Sequence, residues 1–266
     1  MRWRNNAPGH GVDNEPVPAN HDDLPPLTFG PVPYVPEVSI FQAPAGTGLW
    51  DASGGAYHSD RPPPFWAFPW AGGQALARYV LDHSDVVANR MVLDFGAGSG
   101  LVALAAAYGG AAAVRAVEID PEAVEAIRRN VAASARTGAP GVRVDPVLAD
   151  LLNDPAVNID VGVDVLLAGD VFYTGRMRDQ SMRYLRRAER LGIRVLVGDG
   201  GRGFLPADRF DLLASYEVPT PVAIEDADRT AATVWELRRS ATVGGTRSAE
   251  ALPRGAGLPT RPGKGR

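Results

Sequence analysis

The sequence predicts an α/β protein built on a doubly wound, mostly parallel sheet. Short runs that are apolar almost throughout alternate with segments whose apolar residues recur at helical spacing. Runs of the first kind are typical of parallel strands, which are buried on both faces. Regular alternation of the two kinds favours strands that are joined by crossover helices.

The alternation predicts five parallel strands, four helices and a closing pair of antiparallel strands. The parallel strands are expected at 91–95, 113–119, 142–148, 163–168 and 195–198, the helices at 74–81, 101–108, 121–134 and 177–191, and the antiparallel pair at 210–218 and 232–237. Pro121 lies in the first turn of its helix, where its missing N–H has no partner to lose. No internal repeat interrupts this order.

The two ends of the chain differ in composition from the middle. Residues 1–36 are rich in Pro, Asn and Asp and show no periodicity, and residues 240–266 are rich in Gly, Pro, Ala and Arg. Both compositions predict disorder, because such segments bury too little apolar surface to offset the entropy of ordering. One folded domain is therefore expected over 37–239.

Composition excludes several kinds of chemistry and partner. The 266 residues include no cysteine and 4 scattered histidines, which excludes a thiol nucleophile and argues against a metal site. The formal net charge of -4 predicts no general attraction to nucleic acid. The sequence shows neither a signal-peptide pattern nor the roughly 18 apolar residues that span a bilayer, so we expect a cytoplasmic protein without a membrane partner. Nothing in the sequence specifies an oligomeric state.

A glycine-rich turn follows the first predicted parallel strand. Asp94 ends the strand, and Gly96, Gly98 and Gly100 lead into a helix. Glycines let a backbone approach a ligand closely, and Leu101 stands where the dinucleotide fingerprint needs its last glycine. The turn therefore suits a cofactor without a pyrophosphate. S-adenosylmethionine (SAM) is such a cofactor, and Asp94 can pair with its ammonium group. The alternative is a purely structural turn with a capping Asp.

Three more acids lie at or after the ends of the next two strands. Glu118 ends the second strand, where a carboxylate can accept both hydroxyls of a ribose. Asp120 precedes Pro121 and is predicted to cap the helix. Asp150 follows the third strand and is a candidate acceptor for the adenine amino group, with a surface-loop acid as the alternative. All three are placed at the edge of the sheet where ligands bind.

An acid and two aromatic residues follow the fourth strand. Asp170, Phe172 and Tyr173 are expected at the same edge, where the acid can orient an amine and the rings can pack on its methylene stem. Aromatic faces also tolerate the charge of a sulfonium or a methylated ammonium. The alternative is a loop acid beside core aromatics.

An aromatic segment precedes the sheet, with four aromatic residues in six positions from Phe65 to Trp70, followed by Ala-Gly-Gly-Gln-Ala-Leu. Phe65 and Phe68 are predicted to pack in the core. Trp70, next to the glycine pair, is a candidate to border the cofactor.

Together these motifs resemble class I SAM-dependent methyltransferases. The aromatic segment at 65–76 and the Asp170–Tyr173 motif more narrowly resemble seven-β-strand protein lysine methyltransferases, above all the electron transfer flavoprotein β-subunit lysine methyltransferase family. The resemblance covers about 49–237 and implies a seven-stranded Rossmann-like sheet. The segments outside that range depart from the family pattern and leave the partner surface open.

The resemblance implies a role for each matching residue. Trp70 and the 94–100 turn would contact SAM, Glu118 would bind its ribose, and Asp170 would lie beside the transferred methyl group. We further hypothesise that Asp170 hydrogen-bonds the amine while Tyr173 frames the entry of the substrate lysine. The implied partner is a protein, either a flavoprotein β subunit or a ribosomal protein. The alternatives are a small-molecule N-methyltransferase, in which the Pro-rich arm would be a lid, and a SAM-binding module without catalysis. A nicotinamide dehydrogenase is disfavoured by the missing third glycine.

Overall fold

The computed structural model describes residues 26–44, 46–47, 63–136, 143–154, 162–220 and 228–240. Nine strands and four α-helices lie in these ranges. In chain order they are β1 (Thr28–Val32), β2 (Val35–Gln42), α1 (Ala71–Asp82), β3 (Met91–Phe95), α2 (Leu101–Tyr108), β4 (Ala113–Glu118), α3 (Pro121–Arg136), β5 (Val144–Leu148), β6 (Val165–Gly169), α4 (Gly175–Arg190), β7 (Arg194–Asp199), β8 (Phe210–Pro219) and β9 (Arg229–Leu237). None of the helices within these ranges combines the length and the apolar character needed to cross a bilayer.

Seven strands form the main sheet in the order β5-β4-β3-β6-β7-β9-β8. The first five are parallel, and β9 runs antiparallel to both β7 and β8. The chain moves outward from β3 to β5 and then returns to the other side of β3 as β6. This reversal creates a switch point between β3 and β6, where ligands bind in sheets of this kind. The predicted doubly wound sheet with a closing antiparallel pair is confirmed.

The two faces of the sheet are covered by different helices. Because side chains alternate along a strand, Val92 belongs to an apolar core shared with α1 and α2, whereas its neighbour Leu93 belongs to a core shared with α4. Both side chains are almost fully buried. Burial of an aliphatic side chain of this size stabilises the fold by about 1.5–3 kcal/mol. Helices therefore pack on both faces of the sheet and hold the strands in place, including their carboxyl ends.

The strands β1 and β2 form a separate antiparallel hairpin. The predicted disordered arm is therefore wrong for its last part, since 28–36 includes a strand and the start of another. Two buried amide side chains attach this hairpin to the domain: the N–H of Tyr34 donates to Gln74, and the N–H of Phe41 donates to Asn130. Residues 1–25 and 241–266 lie outside the described residues, so disorder there stays a prediction.

Candidate active site at the switch point

The glycine turn between β3 and α2 requires residues without a Cβ. Gly96, Gly98 and Gly100 all have positive φ, at 66, 52 and 80°, in the left-handed region that favours glycine. At Gly100 a Cβ would also lie 3.1 Å from the side chain of Ile127. The backbone of Trp66 lies within van der Waals distance of the position that a Cβ would take at Gly98. The turn is thus a tightly held loop at the switch point.

Asp94, at the base of this turn, is a buried acid with an unpaired oxygen. Only 1% of the residue is exposed, and its Oδ2 has no hydrogen-bond partner. Burial raises the pKa of Asp94 to about 7; a backbone hydrogen bond at Ala103 lowers it, and the charge of Glu118 raises it further. Buried polar atoms are almost always paired in native proteins. An unpaired carboxyl oxygen at the ligand edge therefore fits a cationic or hydrogen-bond-donating ligand.

Glu118 ends β4 and binds the glycine turn directly. Its Oε2 accepts from the N–H of Gly98 at 2.9 Å, and its Oε1 accepts from the N–H of Ile119 at 2.7 Å. Burial raises the pKa of Glu118, and these backbone hydrogen bonds oppose that rise. Oε1 also accepts from the N–H of Asp120 at 3.4 Å, so Oε2 is the oxygen that keeps a second lone pair for a hydroxyl group. The acid is thus oriented toward the glycine turn, and its contact with a ribose stays a prediction.

Two exposed aliphatic side chains lie beside Glu118, and the sequence analysis did not identify them. Ile119 is 61% exposed and Leu148 is 56% exposed. Leu148 pairs with Glu118 in the register of β4 and β5, so both lie at the same strand ends. Each is an exposed apolar side chain at a strand end, of the kind that can pack on a flat heterocycle. Apolar residues directly after a strand carry no distinctive sequence signal.

Asp120 and Asp150 both stabilise local backbone. Asp120 accepts from the N–H of Glu122 at 2.9 Å, which confirms the predicted helix cap. Asp150 accepts from the N–H groups of Leu152 and Asn153 and from the Asn153 side chain. The Asn153 side chain is the main cause of the lowered pKa of Asp150. The geometry thus fits the surface-loop alternative, and contact between Asp150 and adenine stays a prediction.

Asp170 lies just beyond β6 and caps the N-terminus of α1. Trp70, the N-cap residue of α1, makes no side-chain hydrogen bond to the helix. Asp170 supplies the missing acceptor, since its Oδ2 accepts from the N–H of Gly73 at 2.6 Å. The positive end of the helix dipole favours a carboxylate at this position. This contact explains why α1 begins at Ala71, three residues before the predicted start.

A glycine pair allows α1 to approach the sheet closely enough for this contact. A Cβ at Gly72 would lie 2.7 Å from both the Asp170 Oδ1 and the carbonyl oxygen of Gly198. A Cβ at Gly169 would lie 3.0 Å from the Cα of Gly73. Asp170 itself has φ 53°, a conformation that Asp tolerates better than most residues. The helix terminus and the ends of β6 and β7 are therefore in direct contact.

Arg202, on the loop after β7, pairs with Asp170 and was not predicted. Its Nη1 donates to Asp170 Oδ1 at 3.1 Å. Its Cζ lies 5.0 Å from the centre of the Trp70 ring, within the range of cation–π attraction. The sequence signal was present, because Asp199-Gly-Gly-Arg202 follows a predicted strand at the same edge of the sheet.

The aromatic residues divide between the core and the site. Phe172 is 1% exposed and packs edge-on against Phe210, which fits the core-aromatic alternative, and the prediction that its ring packs on the methylene stem of the amine is wrong. Tyr173 is 48% exposed, and its pKa is raised by partial burial and by the charge of Glu118. Its role at the entry of the substrate lysine stays a prediction.

Phe68 lies in the core as predicted and Phe65 does not, while contact between Trp70 and the cofactor stays a prediction. Phe68 is buried, whereas Phe65 is 47% exposed because Trp66 and Ala67 occupy the buried side of its short 3₁₀ turn. The Phe65 carbonyl accepts from the Trp70 Nε1 at 2.8 Å. This hydrogen bond fixes the Trp70 ring at the edge of the site.

Comparisons of the sequence with known proteins assign the chain to a family. The profile of the family described as ribosomal protein L11 methyltransferase (PrmA) matches residues 74–169. The electron transfer flavoprotein β-subunit lysine methyltransferase of Rattus norvegicus is 35% identical over 180 residues, which cover 65% of this chain and 67% of that protein. Its counterpart in Xenopus laevis is also 35% identical over 180 residues, covering 65% of this chain and 69% of that protein. The chain belongs to the electron transfer flavoprotein β-subunit lysine methyltransferase family.

Among solved structures, a T. thermophilus 16S rRNA N2 G1207 methyltransferase in complex with AdoMet and guanosine is 17% identical, with a TM-score of 0.48. The match covers 80% of the present chain and 50% of the rRNA methyltransferase chain. The chain spans about two thirds of the length of the family members named above. The predicted class I SAM-dependent methyltransferase is confirmed by membership of the family.

The described residues of the methyltransferase fit SAM. The unpaired Asp94 oxygen suits its ammonium group, and Glu118 Oε2 retains a lone pair for a ribose hydroxyl. A Cβ added to Gly96 or Gly98 would lie 3.7 or 4.0 Å from its nearest atom, so the loop is not crowded there. Ile119 and Leu148 add exposed apolar side chains at the ends of neighbouring strands.

Proposed function

We propose that this methyltransferase transfers a methyl group from SAM to the side-chain amine of a lysine in another protein. The observation that carries the proposal is the placement of three acids on three neighbouring strands. Asp94 on β3 and Glu118 on β4 lie on one side of the switch point, and Asp170 beyond β6 lies on the other. Gly96 and Val171 lie on opposite sides of this boundary, and a Cβ added to Gly96 would lie 3.7 Å from the valine side chain. The cofactor side and the amine side are therefore adjacent.

The cofactor side would be held by Asp94, Glu118 and the glycine turn. Bound SAM supplies an electrophilic methyl group carried on a positively charged sulfur. Asp94 would pair with the ammonium group, and Glu118 would accept from the ribose while keeping its hydrogen bond to the glycine turn. The protein's contribution is position and electrostatics, as in other cofactor enzymes.

The substrate side would be formed by Asp170, Tyr173 and Trp70, of which Trp70 is also the residue predicted to border SAM. The hydrogen bond from Gly73 fixes one oxygen of Asp170, which makes the carboxylate a rigid acceptor for a lysine amine. The Tyr173 ring is half exposed, and the Trp70 ring lies under the Arg202 guanidinium that pairs with Asp170, so either ring could pack on the methylene stem. Because Tyr173 is open to solvent, the site suits a lysine presented on a protein surface.

The names of related proteins suggest the substrate protein. The family members are named for the electron transfer flavoprotein β subunit, and the matching family profile is named for ribosomal protein L11. We propose a flavoprotein β subunit as the first candidate and a ribosomal protein as the second. The small-molecule alternative assigned a lid to the Pro-rich arm, most of which lies outside the described residues.

The test is transfer of labelled methyl from SAM to a recombinant flavoprotein β subunit and to a cell extract. Asp170→Asn is the decisive variant, because Asn still caps α1 while the charge at the amine site is lost. We expect a discrete labelled protein band and a loss of roughly 10²-fold in rate for Asp170→Asn. The matched control is Asp179→Asn on α4, whose side chain pairs with Arg178 on the surface.

The outcomes separate the candidates. A band that depends on Asp170 and not on Asp179 supports the proposal and identifies the partner by its mass. Full activity of Asp170→Asn with SAM still bound would show that Asp170 does not orient the amine. Label only in the small-molecule fraction would replace the proposal with a small-molecule methyltransferase. Bound SAM without any transfer would favour a binding module.

A further inference from the structure

Arg202 places a cation where a substrate lysine would bring its amine. The guanidinium donates to Asp170 Oδ1 and lies over the Trp70 ring, so it uses the acid and one of the rings assigned above to the lysine. The side chain of Arg202 is 27% exposed and that of Asp170 is 11% exposed. At this burial, solvent screens the pair less than it screens an ion pair at the surface.

The loop after β7 is shaped to hold this pair. Gly200 leaves the space that the pair occupies, since a Cβ there would lie 3.0 Å from Asp170 Oδ1 and 3.3 Å from Arg202 Nη1. Gly201 and Gly203, on either side of Arg202, both have φ 78°. Asp199 anchors the loop by accepting from the N–H of Gly201 at 2.9 Å. Arg202 is therefore presented to Asp170 by a loop with a defined backbone.

The charge of Asp170 creates a difficulty for lysine methylation that this pair resolves. A free lysine has a pKa of about 10.4, and only its unprotonated amine is a nucleophile. A carboxylate beside the amine favours the charged ammonium form, whereas a nearby cation favours the neutral form. An unpaired Asp170 would thus bind the lysine tightly in its unreactive state.

Other charged groups near the site strengthen this difficulty. Asp199 lies at the end of β7, Asp94 and Glu118 lie at the ends of β3 and β4, and Tyr173 follows β6. Each of these groups is neutral or negative, and the positive end of the α1 dipole is already used by Asp170. Arg202 brings a positive charge into contact with Asp170, at 3.1 Å from its Oδ1.

We propose that Arg202 is a positioning residue that balances the charge of Asp170, so that the substrate lysine docks there as a neutral amine and leaves its proton in the solvent. This inference rests on the proposed function and specifies how the same site selects the reactive form of its substrate. Arg202 acts through Asp170 and needs no contact with the methyl group.

The experiment measures the pH dependence of kcat from pH 6.5 to 10 for the wild type, Arg202→Gln, Arg202→Lys and Arg209→Gln. The kcat profile reports groups in the enzyme–substrate complex, which include the bound lysine. In Arg202→Gln we expect the pH of half-maximal kcat to rise by about one unit. The kcat at pH 7.5 then falls roughly tenfold and recovers toward pH 10. Arg202→Lys keeps the charge and is expected to keep the wild-type profile.

Arg209→Gln is the matched control, because Arg209 is an exposed arginine of the same region that pairs with Asp208. Thermal unfolding and calorimetric titration with SAM establish that each variant is folded and binds the cofactor.

A fall in kcat by the same factor at every pH in Arg202→Gln would mean a purely structural role and overturn the inference. A higher kcat at neutral pH would also overturn it, since Arg202 would then block the site. If the wild type methylates no protein, the proposed function fails, and the inference falls with it.

Discussion

Asp94 couples cofactor binding to the pH dependence of stability. Its pKa is raised from 3.8 to about 7 because the side chain is buried. Between these two pH values the native state holds a proton that the unfolded chain has released. The free energy of unfolding must therefore fall as pH rises through this window. At 1.36 kcal/mol for each unit of pKa, the loss is about 4 kcal/mol for the cofactor-free protein.

The variant Asp94→Asn removes this titration and leaves the shape of the side chain almost unchanged. We expect the wild type without cofactor to lose about 4 kcal/mol of stability between pH 4 and pH 8, by thermal or urea unfolding. Asp94→Asn should lose less over the same range, at the constant cost of one unsatisfied buried amide, about 1–3 kcal/mol. Asp208→Asn, whose side chain is 73% exposed, is the matched control and should keep the wild-type slope.

SAM should reverse the effect in the wild type. A cation paired with Asp94 favours the ionised carboxyl group, so the pKa falls and the stability at pH 8 is restored. The same addition should stabilise Asp94→Asn much less. Equal pH slopes for the wild type and Asp94→Asn without cofactor would refute the reasoning, because the buried carboxyl group would then titrate no differently from an exposed one.

Two further predictions concern the framework of the site. Gly72→Ala should lower the free energy of unfolding in urea by about 1–3 kcal/mol, because its Cβ would lie 2.7 Å from Asp170 Oδ1. Gly73→Ala is the control and should be tolerated, since the nearest atom to its Cβ would be 3.7 Å away. Equal effects of the two variants would contradict the close approach of α1 to the sheet. Asn130→Ala should weaken SAM binding several-fold in calorimetric titration, because the Asn130 amide donates to the Ser99 carbonyl within the glycine turn. Unchanged affinity would show that the turn keeps its shape without this hydrogen bond.

Much of the sheet was predictable from the sequence. The predicted bounds of β3 and α2 match the structure, and those of the other parallel strands and helices differ by a few residues. Periodicity succeeds in these segments because each buries an apolar face that its own residues define. The β1–β2 hairpin was missed because its prolines resemble a disordered arm. Prolines are tolerated in this two-stranded ribbon, whose strands both have a free edge.

The acids of the site were predictable as positions but not as contacts. Asp94, Glu118 and Asp170 each follow an apolar run, and the carboxyl ends of parallel strands meet at one edge. The local turn made by Asp150 and the burial of Phe172 were not predictable. Each depends on neighbours that the loop conformation selects.

The sequence by itself determined the glycine turn, the alternation of strands and helices, and the acids at the strand ends. These features are local, because a positive φ or an apolar face is a property of a few consecutive residues. The tertiary structure alone decided that Asp170 caps a helix 97 positions away and pairs with Arg202, 32 positions further along. Such contacts depend on strand order and on how closely α1 packs on the sheet. The chemistry proposed for the site therefore rests on distances that the folded chain creates.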